Sequence, residues 1–345
     1  MGNKSLIPIL FFMLMAACKR PQPLLLSHGS FPDSPVNMGD INSKYDDYNS
    51  TSQNLGSTSP LCFSTNRNSR GGNFDIIYKL LDVNMSLVNG KLTVGESSAN
   101  YLNDVVYENN NLNDALSKIN TEADELGPNL IGQGVKSNGS TDMFNQYQSY
   151  ILLYANNESG NLDIKYVENL NQEKYNKPKQ VVFLNSSKDD AYPSLMWHSL
   201  NFYSIYFCSN RDGGFDIYKA DLDSTKDLLG NLSDSAEKTI TKDAVLSSAG
   251  DDKCPYICNN VLVFTSNRAG GFGGFDLYYS LLVNGEWSAP VNFGPAINSQ
   301  YDEYRPIIES IQGFTNDFMI FSSNRPGGKG GFDLYYVGVK KMIVF

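Results

Sequence analysis

Arg67, Arg268 and Arg325 each stand eight residues before an aspartate (Asp75, Asp276 and Asp333), and Arg211 stands five before Asp216. A fifth aspartate, Asp163, closes a degenerate copy in which Glu158 takes the arginine's place. Acidic markers precede the copies: Asp46/Asp47, Asp142, Asp189/Asp190, Asp251/Asp252 and Asp302/Glu303. Two chemistries fit these residue types. A guanidinium beside a carboxylate forms a geometrically specific ion pair that pins loops. A ring of carboxylates gathered at one face would instead offer calcium its oxygen ligands. The acids do not follow the D-x-[DN]-x-[DN]-G spacing, so calcium is the weaker expectation, and no other metal or cofactor is expected. Repetition in nearly every copy favours the architectural role, with each arginine held by the repeat aspartate or a neighbouring acid. Glu158 marks either a specialised copy or a decayed one.

Catalytic signatures are sparse. There is no GxSxG elbow, HExxH, P-loop or dinucleotide fingerprint. The two histidines, His28 and His198, are too few to complete a zinc site with Cys62, Cys208, Cys254 and Cys258. These four cysteines are expected as buried free thiols, with a disulfide between neighbouring units as the alternative. Glycoside hydrolysis needs two carboxylates flanking the scissile bond, and no motif singles out such a pair.

The elements that must position these residues follow from the repeat. FSTNRNSRGGNFDIIY (63–78), FCSNRDGGFDIY (207–218), FTSNRAGGFGGFDLYY (264–279) and FSSNRPGGKGGFDLYY (321–336) each join two apolar runs by a glycine-rich loop. The aspartates are spaced by 88, 53, 60 and 57 residues, a period that implies units burying one another's faces. Each unit reads as four short strands, and runs such as FMIF and DLYYV are apolar on both faces, as in a sheet packed between two others. Radially stacked four-stranded blades have that property. The expected fold is all-β, a five-bladed β-propeller, whose marker loops and glycine hairpins share one face. The long first spacing implies an insertion at about 88–126, in which Leu112, Leu116, Ile119, Ala123 and Leu126 have helical periodicity up to Gly127-Pro128. SPVNMGDINS (34–43) resembles the EWSAPVNFGPAINS element (286–299), so residues near Pro35–Met38 are expected to supply the last blade's outer strand. The competing candidate is Lys341–Phe345.

The N-terminus carries Lys4, a 12-residue apolar stretch (Leu6–Ala17) and then LMAAC. That stretch is too short to span a membrane and reads as a signal peptide over 1–17. LMAAC resembles a bacterial lipobox, with Met15 a mild departure, which implies lipidation at Cys18 and a tether over 18–35. Residues 36–345 form the propeller. The SSNRPGGKGGFDLYY and INSxYDEYxP elements together resemble the PD40, or WD40-like, repeat of TolB-type proteins and of Bacteroidetes outer-membrane lipoproteins. Their frequent OmpA-like C-terminal domain has no counterpart before Phe345. The resemblance implies a lipid-anchored protein at the outer membrane, facing the periplasm or the cell surface. A formal net charge of −10 without any basic run argues against nucleic acid. The expected role is a non-catalytic binding or scaffolding module, presenting loops to an outer-membrane or periplasmic protein or a glycan. The alternative is a carbohydrate-active hydrolase using central-channel carboxylates.

Overall fold

The computed structural model describes residues 29–56, 58–86, 90–97, 112–137, 146–199 and 202–344. They form five antiparallel sheets. The first strand, β1 (Val36–Asn37), belongs to the last blade. Blade 1 is β2 (Asp47–Ser52), β3 (Ser59–Thr65), β4 (Asp75–Met85) and β5 (Leu92–Glu96). Blade 2 is β6 (Glu125–Ser137), β7 (Gln146–Asn156), β8 (Asp163–Glu168) and β9 (Lys179–Gln180). Blade 3 is β10 (Asp190–Ser199), β11 (Phe202–Ser209), β12 (Asp216–Asp221) and β13 (Ile240–Lys242). Blade 4 comprises β14 (Asp252–Cys258), β15 (Val261–Ser266) and β16 (Asp276–Val283), edged by β17 (Glu286–Trp287) and β18 (Val291–Asn292). Blade 5 is β19 (Glu303–Glu309), β20 (Asp317–Ser323) and β21 (Asp333–Val339), with β1 outermost. The five-bladed propeller is therefore the fold.

The doubly apolar strands are buried as expected of middle strands: every residue of β3, β15 and β20 is buried. Their side chains join successive blades into shared clusters, such as Phe207 and Tyr166, or Met319 and Val263. The hairpin glycines serve two purposes. Gly327 turns with φ 92°, and a Cβ on Gly330 would lie 2.0 Å from the Tyr45 carbonyl oxygen, so the loop lies hard against the neighbouring blade.

Ring closure follows the sequence reading. Val36 and Asn37 pair with Tyr336 and Tyr335 of β21, and Asn37 Nδ2 donates to Asp333 at 2.8 Å. Residues 341–344 do not take that place, and Phe345 lies outside the described residues. The Met342 and Ile343 amides cap Asp317 instead.

The insertion differs in its second half. A helix covers Leu112–Ile119, burying Leu112, Ala115, Leu116 and Ile119 against Tyr150, Leu152 and Tyr154 of blade 2. Helical periodicity does not carry on to Ala123 and Leu126. Thr121 caps the Glu125 carboxylate and β6 begins at Glu125, because that segment is the blade's own acidic marker. Asp142, assigned as that marker from the sequence, lies outside the described residues. Asp124 and Glu125 hold the position, as their bonds show below. The four described cysteines are free thiols, and burial pushes Cys62 and Cys208 up to about 12.

Candidate functional site: the channel and its mouth

The acidic markers split into two sets with different tasks. Asp46, Asp124, Asp189, Asp251 and Asp302 each accept an N–H from the preceding blade's hairpin, at Phe332, Phe74, Leu162, Phe215 and Phe275, over 2.7–2.9 Å. The amide of the next residue returns a bond to the same five residues' carbonyls at 2.7–2.8 Å. This set stitches every blade to its neighbour.

The following acids, Asp47, Glu125, Asp190, Asp252 and Glu303, have no exposed surface and work within the blade. Four of them hold the repeat arginines: Arg67–Asp47 at 2.6 Å, Arg211–Asp190 at 2.5 Å, Arg268–Asp252 at 2.6 Å and Arg325–Glu303 at 2.8 Å. Each guanidinium also donates to a marker-loop carbonyl, at Ile41, Leu184, Leu246 and Ile297. The partner is thus the marker acid rather than the repeat aspartate. The repeat aspartates Asp75, Asp163, Asp216, Asp276 and Asp333 cap their own hairpins or hold an outer-strand side chain. Asp276 takes the Phe272 amide at 2.7 Å and Asn292 Nδ2 at 2.8 Å, and Asp216 holds Lys242. All these acids have protein partners, and among the described residues no group of three or more acidic, cysteine or histidine side chains converges as a metal site.

Blade 2 shows what replaces the arginine. The Glu158 amide bonds Asn156 Oδ1 at 3.0 Å, the place where the arginine amides bond Ser209, Ser266 or Ser323. Its side chain turns outward to Lys165. Glu125 is left with Asn156 Nδ2 at 2.6 Å and Thr121 Oγ1 at 2.7 Å. Burial holds its carboxyl above the ordinary range, with no cation to oppose it.

A third ring, missed from the sequence, closes the channel. Two residues after each buried acid the inner strand bulges, with left-handed backbone at Asn49 (φ 59°), Gly127 (58°), Tyr192 (58°), Cys254 (56°) and Arg305 (45°). In four blades a proline follows: Pro128, Pro193, Pro255 and Pro306. Proline suits an inner edge strand, whose N–H groups lack a ladder partner. That proline, present in the marker itself, was the available signal. The ring residues fill the axis. Arg305 reaches across from blade 5 to donate to the Pro128 carbonyl at 2.9 Å. Its guanidinium lies 5.6 Å from the Tyr192 ring centroid. Gly127 makes room for that ring, since a Cβ there would meet Tyr192 Cδ1 at 2.3 Å. No member of the ring carries a carboxylate.

Beyond this floor the channel widens into a cleft of about 240 Å³, at the end opposite the arginine loops. Gln53, Asn129, Ser194, Trp197 and Tyr256 are among its lining residues. Trp197, one of two tryptophans, is 58% exposed and is braced edge-on by Tyr203 at 4.3 Å. Asn129 is fixed through Nδ2 to the Pro193 carbonyl at 2.9 Å. Ser194 Oγ accepts the Ile257 amide at 3.0 Å, so the inner edges are tied between blades. Glu309, the last residue of β19, accepts the Leu55 amide. Burial raises its carboxyl above the usual range, and its charge acts on Tyr256.

The molecule is thus a five-bladed propeller with a plugged axis and a cleft over the plug. No family model matches the chain, and no curated protein matches it. Among solved structures it is similar to an endo-arabinase from Bacteroides thetaiotaomicron, with a TM-score of 0.51 and 10% identity, covering 91% of this chain and 98% of that one. A thermostable family-43 glycoside hydrolase gives a TM-score of 0.49 at 10% identity, covering 86% and 90%. The catalytic domain of the GH62 alpha-L-arabinofuranosidase of Coprinopsis cinerea gives 0.48 at 12%, covering 91% and 98%. At these identities the likeness establishes the fold.

These neighbours correct the functional expectation. The expectation of a non-catalytic binding or scaffolding module, drawn from the PD40 resemblance and the absence of catalytic motifs, is contradicted by the comparison with the endo-arabinase, a carbohydrate-active propeller. The arginine-loop face carries the arginines and acids that the sequence singled out. Its conspicuous residues are consumed in blade-to-blade and loop bonds, and the channel cleft opens on the other face.

Proposed function

We propose that the protein is carbohydrate-active and takes a glycan chain in the channel-mouth cleft. The observation that carries this reading is Trp197, an exposed and braced indole beside a cleft offering amide and hydroxyl groups. Sugar rings present C–H faces to aromatic platforms while their hydroxyls need such polar partners, the usual pattern of a cleft with few placed polar groups. Glu309, whose carboxyl burial raises above its ordinary value, is the acid proposed as proton donor. The test is calorimetry and reducing-end release on a polysaccharide panel that includes arabinans. Trp197→Ala should weaken glycan binding at least tenfold with Tm unchanged, and Glu309→Gln should remove reducing-end release. A wild-type protein that binds no member of the panel, or a Trp197→Ala variant that binds normally, overturns the reading.

The PD40 resemblance, with its quoted hairpin and marker elements, supports a cell-envelope setting. In this proposal the propeller is tethered through Cys18 to the outer membrane.

A further inference from the structure

Arg305 combines three unfavourable features at one residue. It has no exposed surface, its backbone is left-handed, and its Nε and NH1 groups have no hydrogen-bond partner. A long side chain rarely adopts that backbone without compensation. Every repeat arginine has a carboxylate within 2.8 Å, whereas among the described residues no ion pair involves Arg305. Burial lowers its pKa from the ordinary value, yet a guanidinium stays protonated in proteins. A permanent positive charge therefore sits on the propeller axis without a counterion. Taking such a charge out of water unpaired is strongly unfavourable.

Its position is informative. The side-chain bond it makes, to the Pro128 carbonyl, adjoins Asn129, which lines the cleft. Its charge also acts on Tyr256, another lining residue, where the charge of Glu309 acts in the opposite sense. The lining itself contains no acidic side chain.

We propose that the cleft selects an acidic glycan, one whose uronate carboxylate sits over the floor and supplies the countercharge that Arg305 lacks. This deepens the carbohydrate reading and rests on it. Recognition acts by charge across the floor, since the guanidinium is sealed beneath it. In such a low-dielectric site the attraction is little screened by salt.

The experiment compares oligomers of galacturonate, glucuronate and mannuronate with their methyl esters, which keep ring and linkage but lose the charge. Calorimetry on the wild-type protein should give at least tenfold tighter binding of one acidic oligomer than of its ester. Arg305→Met should abolish that preference while leaving Tm unchanged or raised, since it removes an unpaired buried charge. Arg305→Lys should retain the preference. Equal binding of acid and ester, or a preference that survives Arg305→Met, overturns the proposal. If neutral glycans bind and no acidic one is preferred, the carbohydrate reading stands and this inference falls. If no glycan binds, both fall. The acid-to-ester ratio on wild-type protein decides the matter even where a variant fails to fold.

Discussion

At the residue scale, the same side-chain type has opposite meanings in different places. Arg67, Arg211, Arg268 and Arg325 neutralise buried acids and belong to the architecture, while Arg305 neutralises nothing. Blade 2 tests the architectural role directly, because Glu158 stands where the arginine would, with the same backbone bond. Glu158→Arg should bring a guanidinium to Glu125 and raise stability by about 1.5–3 kcal/mol, the scale of one hydrogen bond to a charged group. The gain should depend on pH. Because burial raises the folded-state pKa of Glu125 above its ordinary 4.5, the native state holds a proton that the unfolded chain has released. Stability is then lost as pH rises from the ordinary value through the raised one. A cation at 158 lowers that folded pKa, so the gain should be full at neutral pH and vanish below the ordinary carboxylate range. Thermal melts of both proteins from pH 4 to 8 check this, and a gain independent of pH would show that the pair does not form.

At the element scale, much of the propeller was legible because its signals are local and repeated. Glycine hairpins flanked by apolar runs give the middle strands, and the SPVNMGDINS echo places β1 in the last blade. What stayed hidden depends on alignment between blades. The split of the acids into neighbour-binding and arginine-binding members is invisible in a pair such as Asp46/Asp47. The true blade-2 marker escaped notice because Asp124–Glu125 follows a helix and continues its apolar periodicity through Leu126. The plugging ring was encoded by a proline that looked incidental, and its members Asn49, Gly127, Tyr192, Cys254 and Arg305 share no chemistry that an alignment would register. The closure is testable as an element. Deleting residues 29–38 removes β1 together with the Phe31 ring stacked on Phe314 at 4.1 Å. Blade 5 is left with a bare outer edge and Phe318 uncovered. Tm should fall by several degrees, more than for deletion of residues 19–28, and equal melting of the two truncations would refute the closing role of β1.

At the scale of the whole molecule, the anchoring proposal predicts that Cys18→Ala moves the protein from the membrane to the soluble fraction. Its continued sedimentation with membranes would dismiss a lipid at that position. Closure by β1 also has a mechanical consequence. Any pull on the chain N-terminal to Gly29 reaches the propeller at its seam, between the last blade and the first. It meets first the short pairing of Gly29 with Phe314, then the Asn316 side chain gripping Phe31 at 2.9 and 3.0 Å, and only afterwards the two pairs of β1. Phe31, wedged between Phe314 and Phe318, acts as a strain relief. A leash tugged by a moving surface would strain that aromatic knot before it could begin to unbutton the ring.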